Sequence, residues 1–433
     1  MTAVPREKPV APFDPGAHPR PELLAPAGGM AQLTAALRFG ADAVYGGLTQ
    51  FGLRAGAENF TPETLRQGVA LTHAQGKRFY VTLNLMPTDA DLPAFLQTAR
   101  VAADAGVDAA IVSDPGAALL LHENLPQLAL HVSTQANVLN TPTAQLWHTA
   151  MGATRIVLAR ELSLADIAGM RAQLPATLML EAFVHGAMCV AYSGRCLLSA
   201  ALTGRSANRG ACAQPCRWQY ALMEARRPGE YLPLMEEGDS TALFSAYDLC
   251  MLPHLPALLA TGIGSLKIEG RMKSPYYVAT VTGVYRRALD LLYMQSEQAY
   301  RDAVPQLLTE LDKASHRPGN TGFYFGKPQP VAGAAACSQT MEFVAQVIRG
   351  AEAGMPAEVE LKNRFYVGDQ LEVLTPEGSF PFTVEDLAFA DSGEPTDTYG
   401  VAGARLLMRF PFPVAVGDLL RGPNRNHRTP EGA

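Results

Sequence analysis

The sequence lacks the features of a membrane or DNA-coating protein. It has no run of about 18 apolar residues, the length that predicts a transmembrane helix. The stretch 186–204 is interrupted by Ser193, Arg195 and Ser199, so we expect no membrane partner. Positive charge is not in excess either, because the formal net charge is −6. We therefore predict no DNA partner, although a local basic patch would be enough for RNA.

Signs of disorder and of secretion are also missing. Charged residues make up 18% and hydrophobic residues 48% of the chain, which is an ordinary globular composition. The first 21 residues contain six prolines and no apolar core, so we interpret residues 1–20 as a disordered tail, not as a secretory signal. We expect a cytoplasmic protein. The 433 residues are enough for one α/β barrel of about 250 residues and a smaller domain.

Cysteine is scarce but clustered. The chain has six cysteines, and four of them lie within residues 189–216: Cys189, Cys196, Cys212 and Cys216. A disulfide framework is a poor explanation in a cytosolic chain, where thiols stay reduced. Four thiolates suit zinc or an iron–sulfur cluster, but zinc sites prefer cysteine pairs with closer spacing than most of these. The spacing favours a cluster, with zinc or no metal as alternatives. Cys250 and Cys337 are predicted to be small buried apolar residues.

Short apolar runs alternate with amphipathic segments from residue 21 onwards. Strands are predicted at Glu22–Pro26, Ala43–Gly46, Phe79–Asn84, Ala109–Ser113, Leu128–Ser133, Arg155–Ala159, Met179–His185 and Ser265–Glu269. Helical segments between them include Met30–Phe39, Pro62–Gln75, Leu92–Asp104 and Ala165–Gln173. This alternation predicts a parallel sheet with right-handed crossovers, and eight units fit a (β/α)8 TIM-like barrel over residues 21–335.

An insertion at about 186–260 separates the seventh and eighth predicted strands and carries the four clustered cysteines. Because it follows a strand, we expect it at the C-terminal face of the barrel, where such barrels perform chemistry. Alternate residues of a strand share a face, which pairs Glu181 with His185 and Lys267 with Glu269. Polar residues at several strand ends indicate a wet pocket, since a buried parallel sheet should be apolar.

The C-terminal part reads as a small β-domain at 336–424, followed by a tail at 425–433. Long helices are predicted at 275–294 and Tyr300–Ala314, then a Gly- and Pro-rich linker at 318–333. Strands are predicted at Glu342–Ile348, Ala357–Leu361, Gln370–Leu374, Phe380–Leu387 and Ala404–Phe410, separated by glycines. This pattern is typical of a small antiparallel β-barrel.

Three segments carry long sequence patterns. The first is the string from Glu181 to Cys189, which continues with Gly194-Arg195-Cys196-Leu197-Leu198-Ser199. Together with the opening strand 22–28 and the segment 267–274, this string resembles the U32 (collagenase-like) peptidase family. The resemblance covers nearly the whole chain, and its E-x-F-x-x-G-x-x-C-x6-C-x-x-S string is long.

The resemblance implies an RNA-modifying enzyme. Members with one barrel and one C-terminal β-domain make 5-hydroxyuridine at the wobble position of tRNA. They are thought to use prephenate without oxygen, and an iron–sulfur cluster, which implies a 4Fe-4S cluster held here by Cys189, Cys196, Cys212 and Cys216. Cys250 is the reserve for the fourth ligand. The implied partners are a tRNA anticodon stem-loop and a small dicarboxylate donor.

The candidate catalytic residues at the barrel mouth are His185, Glu181, Lys267 and Glu269. Candidate substrate-binding residues are Arg271, Lys273, Asn84, Gln135 and Arg54. The cations at 267, 271 and 273 lie in strand eight and the loop after it, where barrels often bind phosphate, so they would hold an RNA phosphate or the two carboxylates of prephenate. The alternatives are a structural Lys267–Glu269 ion pair and a packed His185. For His131 we favour packing.

Candidate RNA contacts surround the clustered cysteines. They are Arg205, Arg209, Arg217 and Trp218, since arginine with an aromatic ring can clamp phosphate and stack an unpaired base. The alternative is a solvated insertion. Arginines of the β-domain would contribute to a tRNA grip, with solvation as the default interpretation: Arg405, Arg409, Arg421, Arg425 and Arg428.

Other functions stay open. Relatives that hydroxylate 23S ribosomal RNA are longer, and those that act on a small aromatic substrate lack the β-domain. A zinc-bearing RNA-binding protein without catalysis is a third hypothesis. Proteolysis is disfavoured, because the sequence contains no H-E-x-x-H and no G-x-S-x-G. A pair of Cys189 with His185 is conceivable, but it would leave the other clustered cysteines unexplained.

Overall fold

The computed structural model describes residues 12–54, 56–189, 191–218, 221–223, 231–233, 247–326 and 337–424. The strands of its N-terminal part are β1 Glu22–Pro26, β2 Ala43–Gly47, β3 Arg78–Leu83, β4 Ala109–Val112, β5 Ala129–Val132, β6 Ala153–Val157, β7 Met179–Ala187, β8 Ala221–Met223, β9 Tyr231–Pro233, β10 Asp248–Cys250, β11 Ser265–Ile268 and β12 Gly319–Asn320. Its helices are α1 Met30–Arg38, α2 Pro62–His73, α3 Leu92–Asp104, α4 Pro115–Asn124, α5 Thr141–Met151, α6 Leu164–Arg171, α7 Leu198–Thr203, α8 Leu255–Leu259, α9 Pro275–Asp290 and α10 Glu297–Leu311.

Eight parallel strands close into a barrel. Strands β1 to β7 pair in chain order, β7 pairs with β11, and β11 returns to β1. The predicted (β/α)8 barrel is therefore confirmed. Polar N-caps begin several helices just after the strand ends, including Asp114 of α4, Asn140 of α5 and Ser163 of α6. Each cap oxygen accepts from an amide of the first turn, which fixes where the loop ends and the helix starts.

The insertion is anchored to the barrel at both of its ends. Strand β7 continues to Ala187, and β10 pairs antiparallel with that extension, with Cys250 opposite His185. Strand β12 adds to β10 in parallel. Between these points the described residues contain α7 and the β8–β9 hairpin.

A seven-stranded antiparallel sheet forms the C-terminal region, which confirms the predicted antiparallel β-domain. The strands of this region are β13 Met341–Arg349, β14 Pro356–Leu361, β15 Phe365–Tyr366, β16 Gln370–Thr375, β17 Gly378–Thr383, β18 Ala388–Phe389, β19 Thr398–Tyr399, β20 Arg405–Arg409 and β21 Leu419–Pro423. The sheet order is β17-β16-β21-β13-β14-β20-β18, and β15 pairs with β19. Strand β21, which was not predicted from the sequence, lies inside this sheet between β16 and β13.

Buried charge holds the C-terminal sheet to the barrel helices. Arg421 of β21 is fully buried, and its guanidinium contacts Glu310 of α10 at 2.6 Å and Glu372 of β16 at 2.7 Å. Tyr276 of α9 stacks on Phe343 with ring centroids 5.9 Å apart. Arg421 is therefore a structural residue, and both interpretations from the sequence, a solvated side chain and a contact to tRNA, are wrong for it. No helix in the described part of the chain is long and apolar enough to span a membrane.

Candidate active site at the barrel mouth

A buried network of charged side chains fills the interior of the barrel. Arg155 of β6 contacts Glu22 at 2.6 Å and Glu181 of β7 at 2.8 Å. Lys267 of β11 contacts the other oxygen of Glu181 at 2.9 Å. Tyr80 donates to Glu22 at 2.6 Å. Each carboxylate thus has a cationic partner, which a buried charge requires.

Glu181 is ionised in this network. Burial alone would raise the pKa of its carboxyl, but Lys267 and Arg155 outweigh burial and lower the pKa to about 2. Glu181 is 0% and Lys267 4% exposed. Lys267 therefore pairs with Glu181, and the alternative in which it pairs with Glu269 is wrong. The catalytic roles of Glu181 and Lys267 stay predictions, because their geometry is that of a buried ion pair below the mouth.

A second polar layer lies at the C-terminal ends of the strands. Arg271, which follows β11, is 3% exposed and donates to the hydroxyl of Thr82 at 2.8 Å and to the amide oxygen of Asn59. Glu269 contacts the guanidinium of Arg54 at 3.4 Å and accepts from Tyr45 at 3.4 Å. The structure therefore brings together three of the predicted residues, at positions 54, 269 and 271.

This layer carries more positive than negative charge. Burial would raise the pKa of Glu269, but Arg54, Arg160 and Arg271 lower it below its ordinary value. Burial and the neighbouring Arg54 lower the pKa of Arg271 to about 10. Three guanidinium groups thus surround one carboxylate. Such a site can bind an anion, because a charged substrate group would be shared among preorganised donors.

Amide groups at the mouth have hydrogen-bonding capacity left over. Asn84, which follows β3, donates to Ser133 at 3.3 Å, while its Oδ1 is buried and has no partner within the described ranges. Asn137 Oδ1 and Arg271 Nε are likewise buried without a partner among the described residues. Gln135 lies beside Gly194 of the insertion. Unsatisfied buried polar atoms are costly, so these atoms are candidate substrate contacts.

The insertion lies over this mouth. Asn137 donates to the carbonyl of Ser193 at 2.8 Å. Arg160, which follows β6, donates to the carbonyl of Ala187 at 3.0 Å and to the hydroxyl of Ser193 at 3.1 Å. On the far side, Arg209 contacts Asp91 at 3.1 Å. The predicted position of the insertion at the C-terminal face is confirmed by these contacts.

The four clustered cysteines are the candidate ligands for a metal cluster in this segment. All six cysteines lie in the described residues and none forms a disulfide; Cys189 and Cys212 are exposed, and Cys196 and Cys216 are half-buried. Cys189 lies close enough to Arg54 to contribute to raising the pKa of that guanidinium, after the larger effect of Glu269. Within the described ranges, no group of three or more His, Cys, Asp or Glu side chains could hold a metal ion. The donor set, four thiols outside disulfides, fits a cluster in its chemistry.

Two predicted site residues point away from the mouth. His185 is 5% exposed and packs against Tyr277 and Tyr285 of α9 with centroids 6.1 and 5.6 Å apart. Burial lowers the pKa of His185 to about 3. The ammonium of Lys273 donates to the carbonyl of Ser315 at 2.9 Å. The prediction that the cations at 267, 271 and 273 share one ligand is therefore wrong, because they face three different places.

The reserve cluster ligand also belongs to the core. Burial raises the pKa of the Cys250 thiol, which lies beside the hydroxyl of Tyr285, and Cys250 packs against the main hydrophobic core. Its predicted role as a small core residue is thus confirmed. Cys337 is exposed, so the same prediction is wrong for it. His131 packs edge-to-face on Tyr80 with centroids 4.6 Å apart, as predicted.

The candidate RNA-binding residues at 205, 209 and 218 are exposed. Trp218 is 49% exposed, and Arg205 is exposed and donates to the carbonyl of Ala211. The side chain of Arg217 and the predictions at residues 425 and 428 lie outside the described part. Arg160 and Asn137 were missed by the sequence analysis, although both follow predicted strands, which is the signal that selected Asn84.

The chain is similar to known proteins over most of its length. The model of "Peptidase family U32" matches residues 28–332, and "Peptidase family U32 C-terminal domain" matches residues 339–421. The "tRNA hydroxylation protein P" of Escherichia coli is 37% identical over 85% of this chain and 89% of that protein. The "23S rRNA 5-hydroxycytidine C2501 synthase" of E. coli is 37% identical over 70% of this chain and 45% of that protein. A "Collagenase" of Porphyromonas gingivalis is 32% identical over 62% of this chain and 65% of that protein. Both domains of the chain therefore place it in peptidase family U32, to which it belongs.

Proposed function

We propose that this protein hydroxylates tRNA, at carbon 5 of the wobble uridine. The observation that carries the proposal is the 37% identity to a tRNA hydroxylation protein over 85% of the chain, which includes both the barrel and the C-terminal sheet. The barrel mouth supports it, since its layer of guanidinium and amide groups can bind an anionic donor or an RNA phosphate. A base of the anticodon loop is already unpaired, so presenting it to the mouth costs little unstacking.

The donor in this proposal is prephenate, a small dicarboxylate. Arg54 and Arg271 would hold its carboxylates, and the buried amide oxygens of Asn84 and Asn137 would accept from its hydroxyl. Glu269 would stay ionised, because three arginines lower its pKa. It would therefore accept hydrogen bonds at the mouth. The exposed Arg205 and Trp218 would contact the anticodon stem-loop.

The iron–sulfur cluster is part of the proposal. Cys189, Cys196, Cys212 and Cys216 would hold it, and it would supply one-electron chemistry or a coordination site when bound. Iron and sulfide analysis of protein purified without air tests this directly. Several irons with matching sulfide would support the cluster. One zinc without iron would instead favour a zinc-bearing RNA-binding protein.

Nucleoside mass spectrometry of tRNA from a deletion strain tests the function. We expect 5-hydroxyuridine and its derivatives to disappear and to return with the intact gene. Unchanged 5-hydroxyuridine would contradict the proposal. A loss of hydroxycytidine from ribosomal RNA would favour the second candidate, which the identity to the 23S rRNA enzyme supports.

Proteolysis has no comparable support in the structure. Among the described residues, His185 and Cys189 share no hydrogen bond, and the ring of His185 packs between tyrosines of α9. A cysteine peptidase needs a thiolate activated by a nearby base.

A further inference from the structure

Arg160 connects the barrel to the insertion on both sides of Cys189. Its two terminal nitrogens donate to the carbonyl of Ala187 at 3.0 Å and to the hydroxyl of Ser193 at 3.1 Å. Asn137, from the loop after β5, donates to the carbonyl of the same serine at 2.8 Å. Ser193 therefore receives one bond at its side chain and one at its backbone, from loops that follow two different barrel strands.

This arrangement is preorganised, and the serine that accepts both bonds is buried. Ser193 is 6% exposed although it lies in a loop. Asn137 has a left-handed backbone with φ 52°, a conformation that asparagine tolerates better than most residues. The guanidinium of Arg160 lies over the ring of Phe183, 5.3 Å from its centroid, which holds the side chain from a third direction.

Arg160 also acts on the mouth electrostatically. It is one of the arginines that lower the pKa of Glu269. One side chain thus contacts the insertion and stabilises the ionised carboxylate below it. A lysine could not replace it, because the ammonium lacks the planar fork that reaches two acceptors at once.

We propose that Arg160, Asn137 and Ser193, here called the clasp, hold the segment 191–197 over the barrel mouth. In this proposal Arg160 is a positioning residue for the hydroxylation reaction, a role that rests on the proposed function. The clasp determines where Cys189 and Cys196 lie relative to Glu269 and Arg271. Cys189 lies in the chain between the two residues that accept hydrogen bonds from Arg160. The anchoring itself does not depend on which reaction the protein performs.

Hydrogen–deuterium exchange of the whole protein tests the anchoring. Three variants are compared. Ser193→Ala removes one acceptor, Arg160→Gln removes the charge, and Arg160→Lys keeps the charge but removes the planar guanidinium. Loss of a charge-assisted hydrogen bond should speed amide exchange in 191–197 by about tenfold to a hundredfold. The control is Arg171→Gln, because Arg171 donates to backbone carbonyls of Leu174, Pro175 and Leu178, on the opposite face of the barrel. It should leave exchange in 191–197 unchanged.

Steady-state kinetics on tRNA test the positioning role. The clasp variants should lower kcat with little change in KM for tRNA, and Arg171→Gln should do neither. Unchanged exchange in Ser193→Ala and Arg160→Gln would overturn the clasp. Faster exchange with unchanged kcat, or a change confined to KM for tRNA, would overturn the positioning role. An inactive wild-type protein would refute the proposed function instead, and the exchange data would still decide the clasp.

Discussion

Removing the charge of Arg271 should separate donor binding from RNA binding. This guanidinium is 3% exposed, is held by Thr82 at 2.8 Å and by Asn59, and has an Nε atom without a partner in the part of the chain that the structure describes. A charge-assisted hydrogen bond is worth roughly 1.5–3 kcal/mol. If Arg271 holds a donor carboxylate, Arg271→Gln should weaken the apparent affinity for prephenate by about tenfold to a hundredfold.

The assay compares the prephenate concentration dependence of hydroxylation with tRNA binding measured directly. Affinity for tRNA should change less, because many phosphate contacts share that energy. Thr82→Val is the matched control, since it removes an anchor of the guanidinium and keeps its charge. Equal losses of prephenate and tRNA affinity would show that Arg271 binds an RNA phosphate. Loss of neither, in a folded protein, would refute an anion-binding role for this layer.

Three further predictions concern the barrel interior and the cysteines. Glu181→Gln should destabilise the fold by about 3–5 kcal/mol in denaturant unfolding, because it leaves Lys267 and Arg155 buried with one carboxylate fewer; a cost near zero would contradict the network. The pKa of Glu181 is lowered from 4.5 to about 2, so its contribution to stability should be complete above about pH 4.5 and be lost as the pH falls towards 2; thermal melts that show the same acid sensitivity in Glu181→Gln as in the wild type would exclude it as the cause. Replacing Cys189, Cys196, Cys212 or Cys216 by serine should remove iron and abolish modification, whereas Cys337→Ser should do neither; if Cys250→Ser loses iron while Cys216→Ser keeps it, the fourth ligand is misassigned.

The barrel could be predicted from the sequence because its signals are local. The predicted and observed barrel strands begin and end within two residues of each other. The helix after β3 is Leu92–Asp104 in both. Period and turn chemistry determine these elements without reference to distant residues. The position of the cysteine insertion followed from the same order of strands.

Side-chain direction near the strand ends could not be predicted this way. Strict alternation placed His185 on the face of Glu181, but the β7–β11 register shifts between Lys267 and Ile268, and His185 packs against α9. The same reasoning paired Lys267 with Glu269, whereas its carboxylate partner comes from the neighbouring strand β7. Burial of Arg421 depends on Glu310 and Glu372, which are distant from it in sequence. The sequence around Arg421 does not show these partners, so the residue was expected to be solvated.

The central claim is that this chain hydroxylates the wobble uridine of tRNA. Its most direct test incubates protein purified without air with prephenate and with tRNA that lacks the modification, followed by mass spectrometry of anticodon fragments. The account predicts that the wobble uridine gains the mass of one oxygen atom only when both protein and prephenate are present. An unchanged anticodon fragment, with the protein folded and loaded with iron and sulfide, would contradict it.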